Sequence, residues 1–241
     1  MSIKRRAEAL AKSALFQDLP AEALAELAAH GRESKLRQGQ ILFTANDPAD
    51  GLYLVLSGSV RAFRENIEGR EQTIHVERAG GLLAEVAVFD GGPYPSSTMA
   101  EEDSEVLFLA KGDVHNFLLK HPETALAALA LLAKKLRNVA SLAEHLALKD
   151  VAQRLSTLIL DEAQRNTPRL QDGVSFSLTL SHMQLASRLG TVREVVTRSL
   201  QKLVQQEVLA IHGRRIVILN VKALRGQTDS SPRSSSTGDD R

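Results

Sequence analysis

The chain has 241 residues, 43% hydrophobic and 24% charged, enough for one large or two modest domains with buried cores. It contains no cysteine, which excludes disulfides, thiolate metal centres and cysteine-held iron–sulfur clusters. The net charge of +1 conceals an asymmetry: residues 1–150 carry 17 Lys+Arg against 21 Asp+Glu, a net of −4, whereas residues 151–225 carry 11 against 5, a net of +6, which suits an anionic partner for the C-terminal part, nucleic acid first.

The N-terminus, "MSIKRRAEALAKSALF", is charged and then amphipathic, without the unbroken apolar core of a signal peptide. No apolar run approaches the ~20 residues that span a bilayer; "TALAALALLAKKL" stops at Lys134-Lys135. A cytoplasmic protein with no membrane partner is expected. Residues 8–31 read as helical, with Leu24 and Leu27 at helical spacing and Gly31 as the stop. From about 35 to 110, short alternating runs such as "GLYLVLSGSVRAFRE" and "EQTIHVERAGG" are separated by turn residues, with hairpin turns expected at Ser57-Gly58 and Glu68-Gly69. Strands at that spacing predict an antiparallel roll or barrel.

Within this region, "LAEVAVFDGGPYPSST" (83–98) has the outline of a phosphate cradle: an acid at Glu85, a short helical turn, a Gly-Pro corner, then hydroxyls at Ser96 and Ser97. It has no arginine. Ser96 and Ser97 suit turn positions equally well, and Glu85 is expected to cap neighbouring backbone N–H groups of the short helix.

A brief helix is expected over 111–119. After Pro122 a long helix runs to about Leu148, and its apolar positions Leu129, Leu132, Leu136, Val139, Ala143 and Leu146 step by 3, 4, 3, 4 and 3, a heptad seam. The seam could pack on its own domain, but a single-file seam of this length favours a parallel homodimer. Asp150 reads as the N-cap of the next helix, with a hinge at Leu148–Asp150. The tail from residue 226, "GQTDSSPRSSSTGDDR", is too polar to bury itself and is expected to be disordered.

The stretch "SHMQLASRLGTVREVVTRSLQKLVQQEVL" is the most specific in the chain. Ser181 with Gln184 forms a capping box, Leu185 and Leu189 point inward, Gly190 supplies a sharp turn, and Thr191 with Glu194 offers a second box. Val196, Leu200 and Leu203 form the buried face of a second helix, completing a helix-turn-helix. Its exposed face carries Arg193, Glu194, Thr197 and Arg198. Arginine can bond guanine O6 and N7, and glutamate can accept from cytosine N4. Glu194 and Arg198 could instead pair along a solvated face. Ser181 and His182 open the first helix, where phosphates bind. "AIHGRRIVIL" reads as a two-stranded wing with Arg214 and Arg215 at its turn, either on phosphate or simply exposed.

With these motifs in order, residues ~15–225 resemble the cyclic-AMP receptor protein / fumarate-nitrate regulator (CRP/FNR) family of bacterial transcription factors. The resemblance implies an α+β chain: an N-terminal antiparallel β-roll like a cyclic-nucleotide-binding domain (1–121), a dimerisation helix (122–149), a winged helix-turn-helix (150–225) and a tail (226–241). It implies that Arg193 and Arg198 read guanines and Glu194 a cytosine in a palindromic TGTGA-like site. Thr197 stands where the fumarate-nitrate branch has serine, so a TTGAT-like half-site stays open. Double-stranded DNA, a second copy of the chain and RNA polymerase are the implied partners.

In relatives that bind cyclic nucleotides, a glutamate holds the ribose hydroxyl, and an arginine with a following hydroxyl residue holds the phosphate. Here Glu85 and Ser96 match, but Pro95 replaces the arginine and Ala84 the usual glycine. The pair that reads adenine falls at Val139 and Ala140, neither of which hydrogen-bonds through its side chain. Cyclic AMP is therefore not expected as effector, and an unidentified small molecule or constitutive DNA binding remains. Haem is not expected either: His75, His115, His121, His145 and Met1 form no recognisable ligand pair. A cyclic-nucleotide- or haem-responsive member of the family is the alternative. No hydrolase, nucleotide-loop or zinc motif supports an enzyme.

Overall fold

The computed structural model describes residues 2–167 and 169–228. The chain divides into two compact units, the first ending at Leu142 and the second beginning at Ala143.

The first unit opens with two helices rather than the one expected over 8–31: α1 (Ile3–Leu10) and α2 (Ala21–His30). Pro20 has no N–H to continue a helix and serves as the N-cap of α2. The intervening turns sink Leu15 and Phe16 into the core. Gly31 is not a left-handed stop, since its φ is −71°. Glycine is needed there for space: a Cβ would lie 2.7 Å from Leu107 Cδ1.

Eight strands and a short helix follow: β1 (Arg32–Leu36), β2 (Ile41–Phe43), β3 (Gly51–Ser57), β4 (Ser59–Glu65), β5 (Glu71–Arg78), β6 (Leu82–Leu83), α3 (Glu85–Asp90), β7 (Ser97–Ala100) and β8 (Ser104–Ala110). They form two antiparallel four-stranded sheets, β1-β8-β3-β6 and β2-β7-β4-β5. Strand β3 is buried on both faces. Leu52 and Leu54 meet the α1, α2 and α4 (Lys111–Lys120) side, and Val55 meets the roll interior with Val60, Leu83 and Val106. That explains why "GLYLVLS" reads as an almost continuous apolar run instead of alternating.

The Glu68-Gly69 turn joins β4 and β5 as a hairpin, with Gly69 at φ +76°. Ser57-Gly58 does not make the expected hairpin. β3 and β4 belong to different sheets, and Gly58 (φ +78°) turns the chain from one to the other, pressed so closely on Ser104 that a Cβ would lie 2.3 Å from its hydroxyl.

Helix α5 (Thr124–Leu148) packs Ala127, Ala128 and Leu131 against the helical side of the roll. The heptad seam is a different stripe: Leu129, Leu136 and Val139 are 62%, 70% and 48% exposed. Leu129 and Leu136 of the seam therefore find little cover in their own domain.

The second unit contains α6 (Val151–Asn166), β9 (Ser175–Ser177), α7 (His182–Leu189), α8 (Arg193–Gln205), β10 (Leu209–His212), β11 (Arg215–Ile218) and α9 (Val221–Thr228) around one apolar core. Asp150 caps α6 as its type predicts: its carboxylate accepts from Gln153 N, and the Gln153 side chain accepts from Asp150 N at 2.8 Å. The wing is a three-stranded sheet, β10-β11-β9, rather than two strands. Helix α9 continues through Gly226, Gln227 and Thr228, residues expected in the tail. The remainder of that tail, and Met1, lie outside the described residues.

Candidate nucleic-acid interface and ligand pocket

The helix-turn-helix is assembled by local bonding. Ser181 Oγ accepts from Gln184 N at 3.2 Å and Gln184 Oε1 accepts from Ser181 N at 2.8 Å, fixing the start of α7. Gly190 (φ 61°, ψ 45°) ends α7 in the left-handed region, and Thr191 N donates back to Ala186 O. Because the Thr191 N–H is thus engaged and α8 begins one residue later, with Val192 as N-cap and no side-chain cap bond, the expected Thr191–Glu194 box does not form. Arg154 on α6 secures the other side: its guanidinium donates to Leu189 O at 3.0 Å and Lys149 O at 2.6 Å. Burial lowers the pKa of that guanidinium.

Val196, Leu200 and Leu203 of α8 face the core, leaving Arg193, Glu194 and Arg198 exposed on its first two turns. Thr197 is half-buried. Its hydroxyl donates to Arg193 O at 3.1 Å and meets His182 Nδ1 at 3.0 Å. His182 therefore faces α8 through one ring nitrogen, while Ser181 is exposed. At the wing turn, Arg214 is exposed, and Arg215 is drawn onto Ser175 Oγ at 2.7 Å.

The second feature is a cavity of about 370 Å³ in the first unit. Phe43, Ala62, Ile74, Leu83, Val86, Pro95 and Val139 contribute apolar wall, and Arg64, His75, Glu77, Glu85, Ser96, Thr98, Lys135 and Asn138 the polar part. Glu85 is the first residue of α3 and is 2% exposed. It does not cap the helix. One carboxylate oxygen pairs with Lys135 Nζ at 2.7 Å, and the other has no hydrogen-bond partner among the described residues. The same ammonium reaches Glu77 Oε1 at 3.1 Å and Leu82 O at 3.0 Å. Ala84, before Glu85, is left-handed at φ 70°, a conformation glycine would adopt without strain. The loop carrying Pro95 is anchored by Tyr94, which is 3% exposed and stacks on Phe43 with ring centroids 3.9 Å apart.

The chain matches two family models, the cyclic nucleotide-binding domain over residues 33–121 and the Crp-like helix-turn-helix domain over residues 153–226. It is 30% identical over 199 residues to the cyclic AMP receptor protein of Thermus thermophilus, covering 83% of this chain and 89% of the relative. The chain belongs to the CRP/FNR family. The global nitrogen regulator of Synechococcus elongatus is 28% identical over 80% of this chain and 88% of the relative. The c-di-GMP responsive global regulator of Xanthomonas campestris shares the fold, with a TM-score of 0.72 at 23% identity over 83% of this chain and all of that one. These relatives of the CRP/FNR family are transcription regulators rather than enzymes.

Of the residues singled out for a CRP/FNR effector pocket, Glu85, Ser96 and Val139 line the cavity, and Ser97 does not. Ser97 lies in β7, where its hydroxyl accepts from Ala45 N at 2.9 Å and ties the edge of β2. The polar lining residues that sequence reasoning missed are Arg64, His75, Glu77, Thr98, Lys135 and Asn138. One signal for Lys135 was available: it continues the inner stripe of α5 from Ala128 and Leu131 and must place its charge against the roll. Burial, and then the Lys135 charge, hold the His75 pKa down to about 4. His115 and His121 are occupied structurally, by Val88 O at 2.6 Å and Glu123 Oε1 at 3.0 Å. No group of three or more metal-ligating side chains, and no helix long and apolar enough to cross a membrane, occurs among the described residues.

Proposed function

We propose that this CRP/FNR-type regulator acts in the cytoplasm as a homodimer that reads a palindromic TGTGA-like site and is not controlled by cyclic AMP. The observation that carries the reading is the exposure of Arg193, Glu194 and Arg198 together on the first two turns of α8, beyond the capped start of α7. Those groups bond guanine and cytosine edges in a major groove. The homodimer rests on the exposed stripe Leu129, Leu136 and Val139, which buries itself most simply against a second copy. Two copies would present two α8 helices one DNA turn apart. RNA polymerase is the partner through which such a dimer would act.

Against cyclic AMP stand Pro95 at the arginine position, Val139 and Ala140 at the adenine-reading positions, and a Lys135 ammonium already satisfied by Glu85, Glu77 and Leu82. Fluorescence anisotropy on a palindromic TGTGA duplex at fixed salt tests the reading. Tight binding unchanged by cyclic AMP is the expected result, and absence of preference over a scrambled duplex would overturn it.

One observation favours a second reading, a cyclic-nucleotide-responsive regulator: Arg64, exposed on β4, lines the same cavity and could receive a phosphate in place of the missing arginine. In that case DNA binding would require cyclic AMP, and Arg64→Ala would abolish the response.

A further inference from the structure

Two buried polar atoms of the cavity find no partner among the described residues: Glu85 Oε2 and Thr98 Oγ1, on residues 2% and 1% exposed. A buried carboxylate oxygen left without a donor is unfavourable, and natural structures seldom keep one without a use for it. The ammonium paired with Glu85 has no proton left for the second carboxylate oxygen. Lysine has three N–H groups, and those of Lys135 reach Glu85 Oε1, Glu77 Oε1 and Leu82 O. His75 is a neutral ring near pH 7, its pKa lowered to about 4 by burial and by the Lys135 charge. Two cations, Arg64 and Lys135, face two carboxylates, Glu77 and Glu85, so the lining holds no charge surplus for an anion. Phe43, Ile74 and Leu83 supply flat apolar wall, and about 370 Å³ is ordinary room for a small ligand.

We propose that the cavity binds an uncharged, largely apolar molecule whose hydroxyl or N–H donor sits on Glu85 Oε2, with the Thr98 hydroxyl as a second polar contact. The inference deepens the regulator reading and rests on it only for the consequence of binding. A donor at Oε2 draws on the same carboxylate charge that holds Lys135, so occupancy loosens the attachment of α5 to the roll.

The probes are 2-naphthol, a neutral aryl alcohol, and 2-methoxynaphthalene, which matches its shape without a donor. Both are titrated by fluorescence against the full chain, with cyclic AMP as a third arm and the palindromic duplex measured alongside. The naphthol should saturate the chain, and the methyl ether should bind about tenfold or more weakly, the usual effect of one hydrogen bond to a charged group. Glu85→Gln should remove most of that discrimination. Thr98→Val, a near-isosteric change that leaves the Lys135 cluster intact, should weaken naphthol alone by a few-fold. Equal binding of alcohol and ether, no binding of either, or tighter binding of cyclic AMP than of naphthol would each overturn the inference. Duplex binding without naphthol binding would sink this inference and leave the regulator reading standing, and naphthol binding without duplex binding would do the reverse.

Discussion

His182 Nδ1 lies 3.0 Å from the hydroxyl of Thr197, which itself donates to Arg193 O at 3.1 Å. A hydroxyl has one proton to give, so with that proton on Arg193 O the contact is a hydrogen bond when the His182 ring carries its proton on Nδ1. The first residue of α7 thus holds the middle of the exposed face of α8. His182→Ala should cost about 1 kcal/mol, read as a lower urea midpoint, and Thr197→Ser should cost little because both bonds survive. With its proton given to Arg193 O, the Thr197 hydroxyl keeps a lone pair but has no donor to offer a base. Thr197→Val should therefore leave the preference for TGTGA over TTGAT duplexes unchanged, and a reversal would show that Thr197 does read DNA.

On the proposed reading, Arg193 and Arg198 meet base edges and the wing arginines meet phosphate. Arg193→Ala should lower affinity for the specific duplex by about 1–3 kcal/mol and relax selection at one base pair, with the thermal midpoint unchanged, since the side chain is exposed. Arg214→Ala should instead weaken all duplexes alike and reduce the salt slope by about one unit. Arg215 is held on Ser175 at 2.7 Å, and its replacement should have a smaller effect on that slope. Anisotropy across a salt series separates the three.

Leu136 is 70% exposed, so its replacement does not open the core. If the proposed seam pairs two copies, sedimentation velocity should show a dimer for the natural chain and a folded monomer for Leu136→Glu, which puts like charges face to face. Affinity for a palindrome should fall about a hundredfold as the second half-site loses its tether, while affinity for a single half-site should persist. A dimer that survived Leu136→Glu would place the interface elsewhere.

The Lys135 cluster makes stability depend on its partners and on pH. Lys135→Met leaves Glu85 and Glu77 without their cation and should cost about 2–4 kcal/mol, part of which Lys135→Met/Glu85→Gln should restore. His75 contributes the pH dependence. Its folded pKa, near 4, lies below the ordinary 6.5, so below about pH 6.5 the unfolded chain takes up more protons. Its share of stability is complete above pH 6.5 and is lost as the pH falls towards 4, an effect on the order of 2 kcal/mol after allowance for its 28% exposure. Urea midpoints between pH 4 and 7 should fall more steeply for the natural chain than for His75→Gln. Parallel curves would mean that His75 does not titrate between folded and unfolded states.

The sequence by itself determined the elements whose signals are local. Capping at Asp150 and Ser181, the left-handed turn at Gly190 and the inward stripe Val196, Leu200 and Leu203 depend on residues three or four apart, and those bonds form wherever the chain is helical. The heptad seam was legible for the same reason, and the structure added that Leu129 and Leu136 of it stay exposed while Ala128, Leu131 and Lys135 take the inner side of α5. Only the tertiary structure decided that Gly58 carries the chain between sheets, that Thr191 yields the cap to Val192, and that β9 joins the wing. It also decided the pocket. Glu85 and Lys135 are 50 positions apart and meet at 2.7 Å only because α5 returns across the roll and lays its one inward lysine over β6 and α3. Pairings at that separation are set by sheet register and helix docking, which no local spacing encodes. That is why Pro95 in place of an arginine suggested what the pocket does not bind, while the unpaired oxygen of Glu85 became visible only in the folded chain.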